Sequence, residues 1–184
     1  MINFSEVDKS WTLFLDRDGV INEEVLGDYV LNTSQFFFYK DSLKALEILN
    51  KHFGTIVIVT NQKGVGKGSM SLNALNEIHD TMIREITATG GRIDKIYFAT
   101  DLDNDSPYRK PQHGMALHAK EDFPQINFGK SIMAGNKLTD MQFGRNAGIA
   151  TVFIASTNPE TAFPHALIDA RFNSLYQFAK QFTH

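Results

Sequence analysis

Six short runs rich in β-branched and aromatic residues alternate with longer stretches of helical spacing, and this alternation restricts the possible folds more than any other feature of the chain. Strands are predicted at residues 11–15, 55–60, 93–99, 131–134, 151–154 and 170–172. Helices are predicted over 41–52, 71–89, 113–123 and 139–147, with a last one from Ser174. Leu72, Leu75, Ile78, Met82 and Ile86 recur at helical period, with Ser71 as a ready N-cap and Gly90-Gly91 as a stop. The run at 55–60 is almost continuously β-branched, the pattern of a strand covered on both faces. Strands alternating with helices imply a parallel sheet between two helical layers. The expected class is therefore α/β, a Rossmann-like three-layer sandwich around a central parallel sheet, with residues 1–184 as one domain. The long connection at 27–38 is expected to hold a short hairpin, and 101–111 is the most irregular segment; neither has room for a large cap domain.

In an open parallel sheet, ligands bind beyond the C-terminal ends of the strands. Asp16-Arg17-Asp18-Gly19 follows the first strand. Thr60-Asn61-Gln62 closes the second and leads into a loop with Gly64, Gly66 and Gly68. Gly135-Asn136-Lys137 follows the fourth, with Asp140 shortly after. Three strand ends thus bring carboxylates, amides and a hydroxyl to one edge. Asp16 and Asp18 stand two apart in an extended segment, so both project to one side while Arg17 points away. Two such carboxylates repel unless a cation sits between them or one holds a proton. Either condition suits phosphoryl transfer, where a metal relieves repulsion and a protonated acid serves the leaving oxygen. Gly19 permits the tight departure from the strand.

The balance of charge narrows the partners. With 18 basic and 21 acidic residues the net charge is −3, unlike the basic face of a nucleic-acid binder. The absence of cysteine excludes disulfides and thiolate zinc sites. The opening residues lack a basic-then-apolar pattern, and no apolar run approaches the roughly 20 residues of a membrane helix. The expected protein is cytoplasmic, a monomer or weak homo-oligomer acting on a small phosphorylated molecule, without nucleic-acid or membrane partners.

Phe14-Leu15-Asp16-Arg17-Asp18-Gly19-Val20-Ile21-Asn22 resembles the first motif of the haloacid dehalogenase (HAD) phosphatases. Val59-Thr60-Asn61-Gln62 resembles their second, Arg109-Lys110-Pro111 their third, and Gly135-Asn136-Lys137-Leu138-Thr139-Asp140-Met141 their fourth. The order and spacing are similar from about residue 11 to 155, and the details look most like the capless subgroup of heptose bisphosphate and histidinol-phosphate phosphatases. The resemblance implies that Asp16 attacks phosphorus and Asp18 acts as acid and then base. It implies that Thr60 and the Asn61 N–H hold phosphate oxygens and that Lys110 neutralises charge. Magnesium is implied on Asp16, the carbonyl of Asp18 and the first polar residue of the fourth motif, with Asp140 as a possible compensating ligand. Arg109 is expected to touch substrate and Gln62 to shape the pocket.

Two departures accompany the resemblance. The fourth motif usually opens Gly-Asp, and here it is Gly135-Asn136, whose amide oxygen can ligate magnesium without adding charge. The segment at 100–108, where relatives often carry a cysteine-rich zinc loop, has no cysteine, so no zinc is expected. The implied activity is magnesium-dependent hydrolysis of a sugar phosphate such as heptose bisphosphate. Histidinol phosphate, or phospholigand binding with weakened catalysis, are the alternatives. Glu23 and Glu24 would suit hydroxyls or an amine, whereas Lys63, Lys67 and Arg109 would suit a second phosphate.

Other signals carry less. The loop from Gly64 to Ser69 fails as a P-loop because Gly68 follows Lys67 and Asn61 stands at the leading glycine. Asp101, Asp103 and Asp105 mimic a calcium loop but lack its sixth-place glycine and twelfth-place glutamate. The six histidines show no metal-binding spacing, and His79 and His118 are read as surface or packing residues. Phe36-Phe37-Phe38-Tyr39 is read as packing rather than a nucleic-acid platform.

Overall fold

The computed structural model describes residues 2–183; Met1 and His184, the last of the six histidines, lie outside the described residues. Its elements follow in chain order: β1 (Thr12–Leu15), α1 (Ser42–His52), β2 (Thr55–Asn61), α2 (Lys63–Gly66), α3 (Leu72–Ala88) and β3 (Lys95–Ala99). Then come α4 (Gly114–Asp122), β4 (Ser131–Gly135), α5 (Leu138–Ala147), β5 (Ala150–Ile154), β6 (Ala170–Phe172) and α6 (Leu175–Ala179). The six strands form one sheet in the order β3-β2-β1-β4-β5-β6, and every pairing is parallel. The α/β layered class expected from the alternation is the one found.

Alternate residues along each strand explain the layering. Leu13, Leu15, Ile56, Ile58, Ile132 and Ala134 face a core that includes residues of α1, α3 and α6. Phe14, Val57, Val59 and Met133 face the other side, against Met115, Ala116 and Ala119 of α4 and Phe143 of α5. Because both faces are buried, the strand sequences read as continuous apolar runs. The chain direction across the sheet reverses beside β1, whose two neighbours are β2 and β4. That switch point leaves a crevice outside the C-terminal ends of these strands. No helix among the described residues is long and apolar enough to cross a membrane.

Two local expectations are corrected. The connection at 27–38 contains no hairpin; it holds a 3-10 turn, Thr33–Gln35, in which Asn32 accepts from the Ser34 N–H. Short polar side chains bond their own backbone there and compete with a strand ladder. The glycine-rich segment after β2 opens as a single helical turn, α2, before loosening. Gly66 presses so closely on the Thr100 carbonyl that a Cβ would collide with it, so tertiary packing overrides poor helix propensity.

Candidate active site

The site grows from the ends of β1, β2 and β4 and from the loop after β3. A cavity of about 660 Å³ opens there, lined by Asp16, Asp18, Thr60, Lys110 and Asp140 among others. That volume suits a small metabolite. At its floor the Lys110 ammonium, only 3% exposed, spends its three N–H bonds on three oxygens. It meets Asp16 Oδ1 at 2.9 Å, Asp140 Oδ1 at 2.7 Å and the Val59 carbonyl at 2.8 Å. Asn61 holds the lysine's loop against β2: its amide donates to the Lys110 carbonyl at 3.1 Å and accepts from the Lys110 N–H at 3.0 Å.

Asp18 is held by a second network. Its Oδ1 accepts from Arg17 Nη2 at 2.9 Å and Asn22 Nδ2 at 2.9 Å, and its Oδ2 from Gln62 Nε2 at 2.9 Å. Gln62 Nε2 also donates to Thr60 Oγ1 at 2.9 Å, which leaves the threonine O–H as a donor for a ligand. Arg17 does not line the cavity, yet its guanidinium folds back to Asp18 and reaches Nε2 of His79 on α3 at 3.1 Å. His79 is therefore a buried partner of Arg17, not a surface histidine. A lone histidine at a core position of α3 was the available signal, but which polar group it meets depends on how α3 docks.

The two carboxylates are driven apart electrostatically. Burial pushes Asp16 up to about 6, with Lys110 opposing the rise and Asp140 and Asp18 adding to it. Burial also works against Asp18, but the Arg17 guanidinium and the bonds from Asn22 and Gln62 outweigh it and hold Asp18 below the usual carboxylate range. Burial opposes the charged Lys110, and the two aspartates more than restore it. In the metal-free site the proton affinity therefore rises at Asp16 and falls at Asp18, so the two neighbouring acids are electrostatically distinct.

Among the described residues no three His, Cys, Asp or Glu side chains cluster to hold a metal, so a carboxylate cage is absent. Asp140 Oδ1 meets Lys110 and its Oδ2 accepts the Lys137 N–H at 2.9 Å, so each of its oxygens already carries one hydrogen bond. Asn136 Oδ1, by contrast, is buried and lacks a hydrogen-bond partner. An anionic oxygen on Asp16 with an orphaned amide oxygen at the neighbouring strand end fits a hard divalent cation.

Residues 12–153 match the polynucleotide kinase 3 phosphatase family. The chain is 36% identical over 170 residues to D-glycero-alpha-D-manno-heptose-1,7-bisphosphate 7-phosphatase of Mycobacterium bovis, covering 92% of this chain and 90% of that one. It is 34% identical over 148 residues to the enzyme of that name from Campylobacter jejuni, covering 80% and 84%. The crystal structure of D,D-heptose 1,7-bisphosphate phosphatase from B. bronchiseptica, complexed with magnesium and phosphate, superposes with a TM-score of 0.84 at 25% identity, covering 94% of this chain and 98% of that one. The chain belongs to the HAD phosphatases of the heptose bisphosphate kind. Within this HAD phosphatase, Asn61, Gln62, Lys63 and Arg109 line the cavity. Glu23 does not: it is exposed, and Glu24 takes the place at the rim. The backbone pairing of Glu23 with Phe37 turns its side chain outward, and a one-residue step swaps the two. Lys67 lies outside the lining and sits over the Tyr29 ring, 5.4 Å from its centroid.

Proposed function

We propose that this HAD phosphatase releases phosphate from a small sugar bisphosphate, D-glycero-D-manno-heptose 1,7-bisphosphate being the leading candidate, with magnesium as cofactor. The observation that carries the reading is the Lys110 ammonium joined at once to Asp16 and Asp140 beneath a cavity that Asp18 and Thr60 also line.

Asp16 attacks phosphorus and becomes an aspartyl-phosphate. Lys110 balances charge on the nucleophile and on the transferring oxygens, and the Thr60 hydroxyl and Asn61 N–H hold two of those oxygens. Asp18 delivers a proton to the leaving oxygen and later takes one from the hydrolytic water. Its network holds it as a carboxylate in the free site; an incoming phosphate dianion raises its proton affinity by like-charge repulsion, and the proton it then carries is taken up from solvent as substrate binds. Asp16, the Asp18 carbonyl and Asn136 Oδ1 would hold magnesium, which would supply positive charge that keeps Asp16 ionised and offsets its repulsion from the phosphate.

A second anion on the substrate has a place to go. Lys63 and Arg109 converge on Asn104 Oδ1, at 3.4 and 3.3 Å, and all three line the cavity. An amine such as histidinol phosphate's would meet Asp28 at the cavity wall, while Glu23 is exposed outside it and Glu24 is already paired with Lys137. The test is magnesium-dependent phosphate release from a panel of heptose bisphosphate, histidinol phosphate, p-nitrophenyl phosphate and a 3′-phosphorylated oligonucleotide. Heptose bisphosphate should give the highest kcat/KM, and Asp16→Asn should remove turnover of every compound. Absence of turnover across the panel at high magnesium would leave a phospholigand-binding protein instead.

A further inference from the structure

The polar groups around Asn136 are arranged to fix one orientation of its side chain. Asn136 is fully buried at the C-terminal end of β4. Its Nδ2 lies 3.1 Å from Glu24 Oε2 and 2.6 Å from Thr157 Oγ1. A carboxylate only accepts, so the Asn136 atom that faces Glu24 has to be the nitrogen, and the flipped amide would set oxygen against oxygen. Glu24 is itself held, since its other oxygen pairs with the Lys137 ammonium. The Asn136 backbone is pinned too, its carbonyl accepting from Asn158 Nδ2 at 2.9 Å. What remains is the buried Oδ1 without a partner; the amide packs on the turn at Gly19, where a Cβ would stand 2.0 Å from Nδ2 and 3.2 Å from Oδ1.

We propose that Glu24 is a positioning residue for the cation site: by accepting from Asn136 Nδ2 it presents Asn136 Oδ1 to a divalent ion and polarises the amide so that this oxygen ligates more strongly. The inference rests on the magnesium reading given above. A carboxylate behind a neutral ligand orients it and raises its basicity, as carboxylates do behind metal-bound imidazoles. Thr157 contributes orientation without charge. Glu24 also brings a formal negative charge close to the ion without direct ligation, and Lys137 balances that charge in the metal-free protein.

The experiment is a Mg²⁺ titration of the whole chain without substrate, read by calorimetry and by the rise in melting temperature. Wild type should saturate. Glu24→Ala should raise the midpoint about 10-fold or more, Thr157→Val by less, and Glu24→Gln to an intermediate extent, with far-UV circular dichroism unchanged. A second readout needs no metal. Asn136→Asp places a carboxylate against Glu24 and should lower the melting temperature of the metal-free protein, and adding Glu24→Gln should restore it. Glu24→Ala titrating like wild type, or Asn136→Asp leaving the metal-free melting temperature unchanged, would overturn the role of Glu24 and leave the magnesium site standing. A wild type without any saturable response to Mg²⁺ would overturn the magnesium reading and this inference with it.

Discussion

At the scale of single residues, Lys110 is the group on which the most charge depends. Two buried carboxylates and a carbonyl share its three protons, and it carries the cation into a place where water cannot replace it. Removing one partner of such a cluster leaves uncompensated charge, which costs more than the pair contributes net. Lys110→Met should therefore lose roughly 3 kcal/mol at pH 7 in urea unfolding and abolish turnover. The stability deficit should shrink toward pH 5, because Asp16, already raised to about 6, takes up a proton there and the repulsion with Asp140 falls. A deficit that does not change with pH would mean that packing, not charge, accounts for the loss. The sequence marked Asp16, Asp18 and Thr60 by their places at strand ends, and Lys110 through the resemblance of its motif. It did not show that the Asn61 side chain clamps Lys110, because the two lie 49 positions apart and meet only when the loop after β3 packs on β2.

Among the elements, α3 does more than cover the sheet. Its apolar face, capped by Ser71 bonding the Ala74 N–H, was legible from period and cap. Its one buried polar residue, His79, was not, because the Arg17 it meets lies 62 positions earlier. Burial and the neighbouring Arg17 charge drive the His79 pKa down to about 3. A depressed folded value means that unfolded chains bind a proton the native state refuses. The His79 contribution is thus complete above the ordinary histidine range, near 6.5, and is lost as pH falls toward 3. Between those limits wild-type stability should drop by up to about 1.4 kcal/mol per pH unit more than that of His79→Gln. Chemical denaturation of both proteins from pH 7 to pH 4 measures the difference, and parallel curves would show that His79 protonates without penalty. Asp16, raised rather than lowered, contributes with the opposite sign in both proteins and cancels in the comparison.

For the molecule as a whole, the strand order decides which loops meet. β1 lies between β2 and β4, so segments far apart in sequence share one crevice. The paired cations Lys63, after β2, and Arg109, after β3, exist as a pair only through this layout and through Asn104 between them. If they receive a distal phosphate, Arg109→Ala should lower kcat/KM for a bisphosphate by about 10- to 100-fold, the loss expected for one charged hydrogen bond of about 1.5–3 kcal/mol. The same variant should change turnover of p-nitrophenyl phosphate by less than about 2-fold. Equal losses on both substrates would place Arg109 at the reacting phosphate instead.

By itself the amino-acid sequence determined the layered α/β class, because continuous apolar strand runs alternating with segments of helical period leave few ways to cover apolar surface. It also determined which strand ends carry reactive groups, because those groups stand next to their strands in the chain. Only the tertiary structure decided that Glu24 rather than Glu23 enters the cavity, that Asp140 is taken by Lys110 and Lys137, and that Asn136 keeps a buried oxygen without a partner. Each of those outcomes rests on contacts between residues many positions apart or on a one-residue choice of facing, and local pattern carries no record of either.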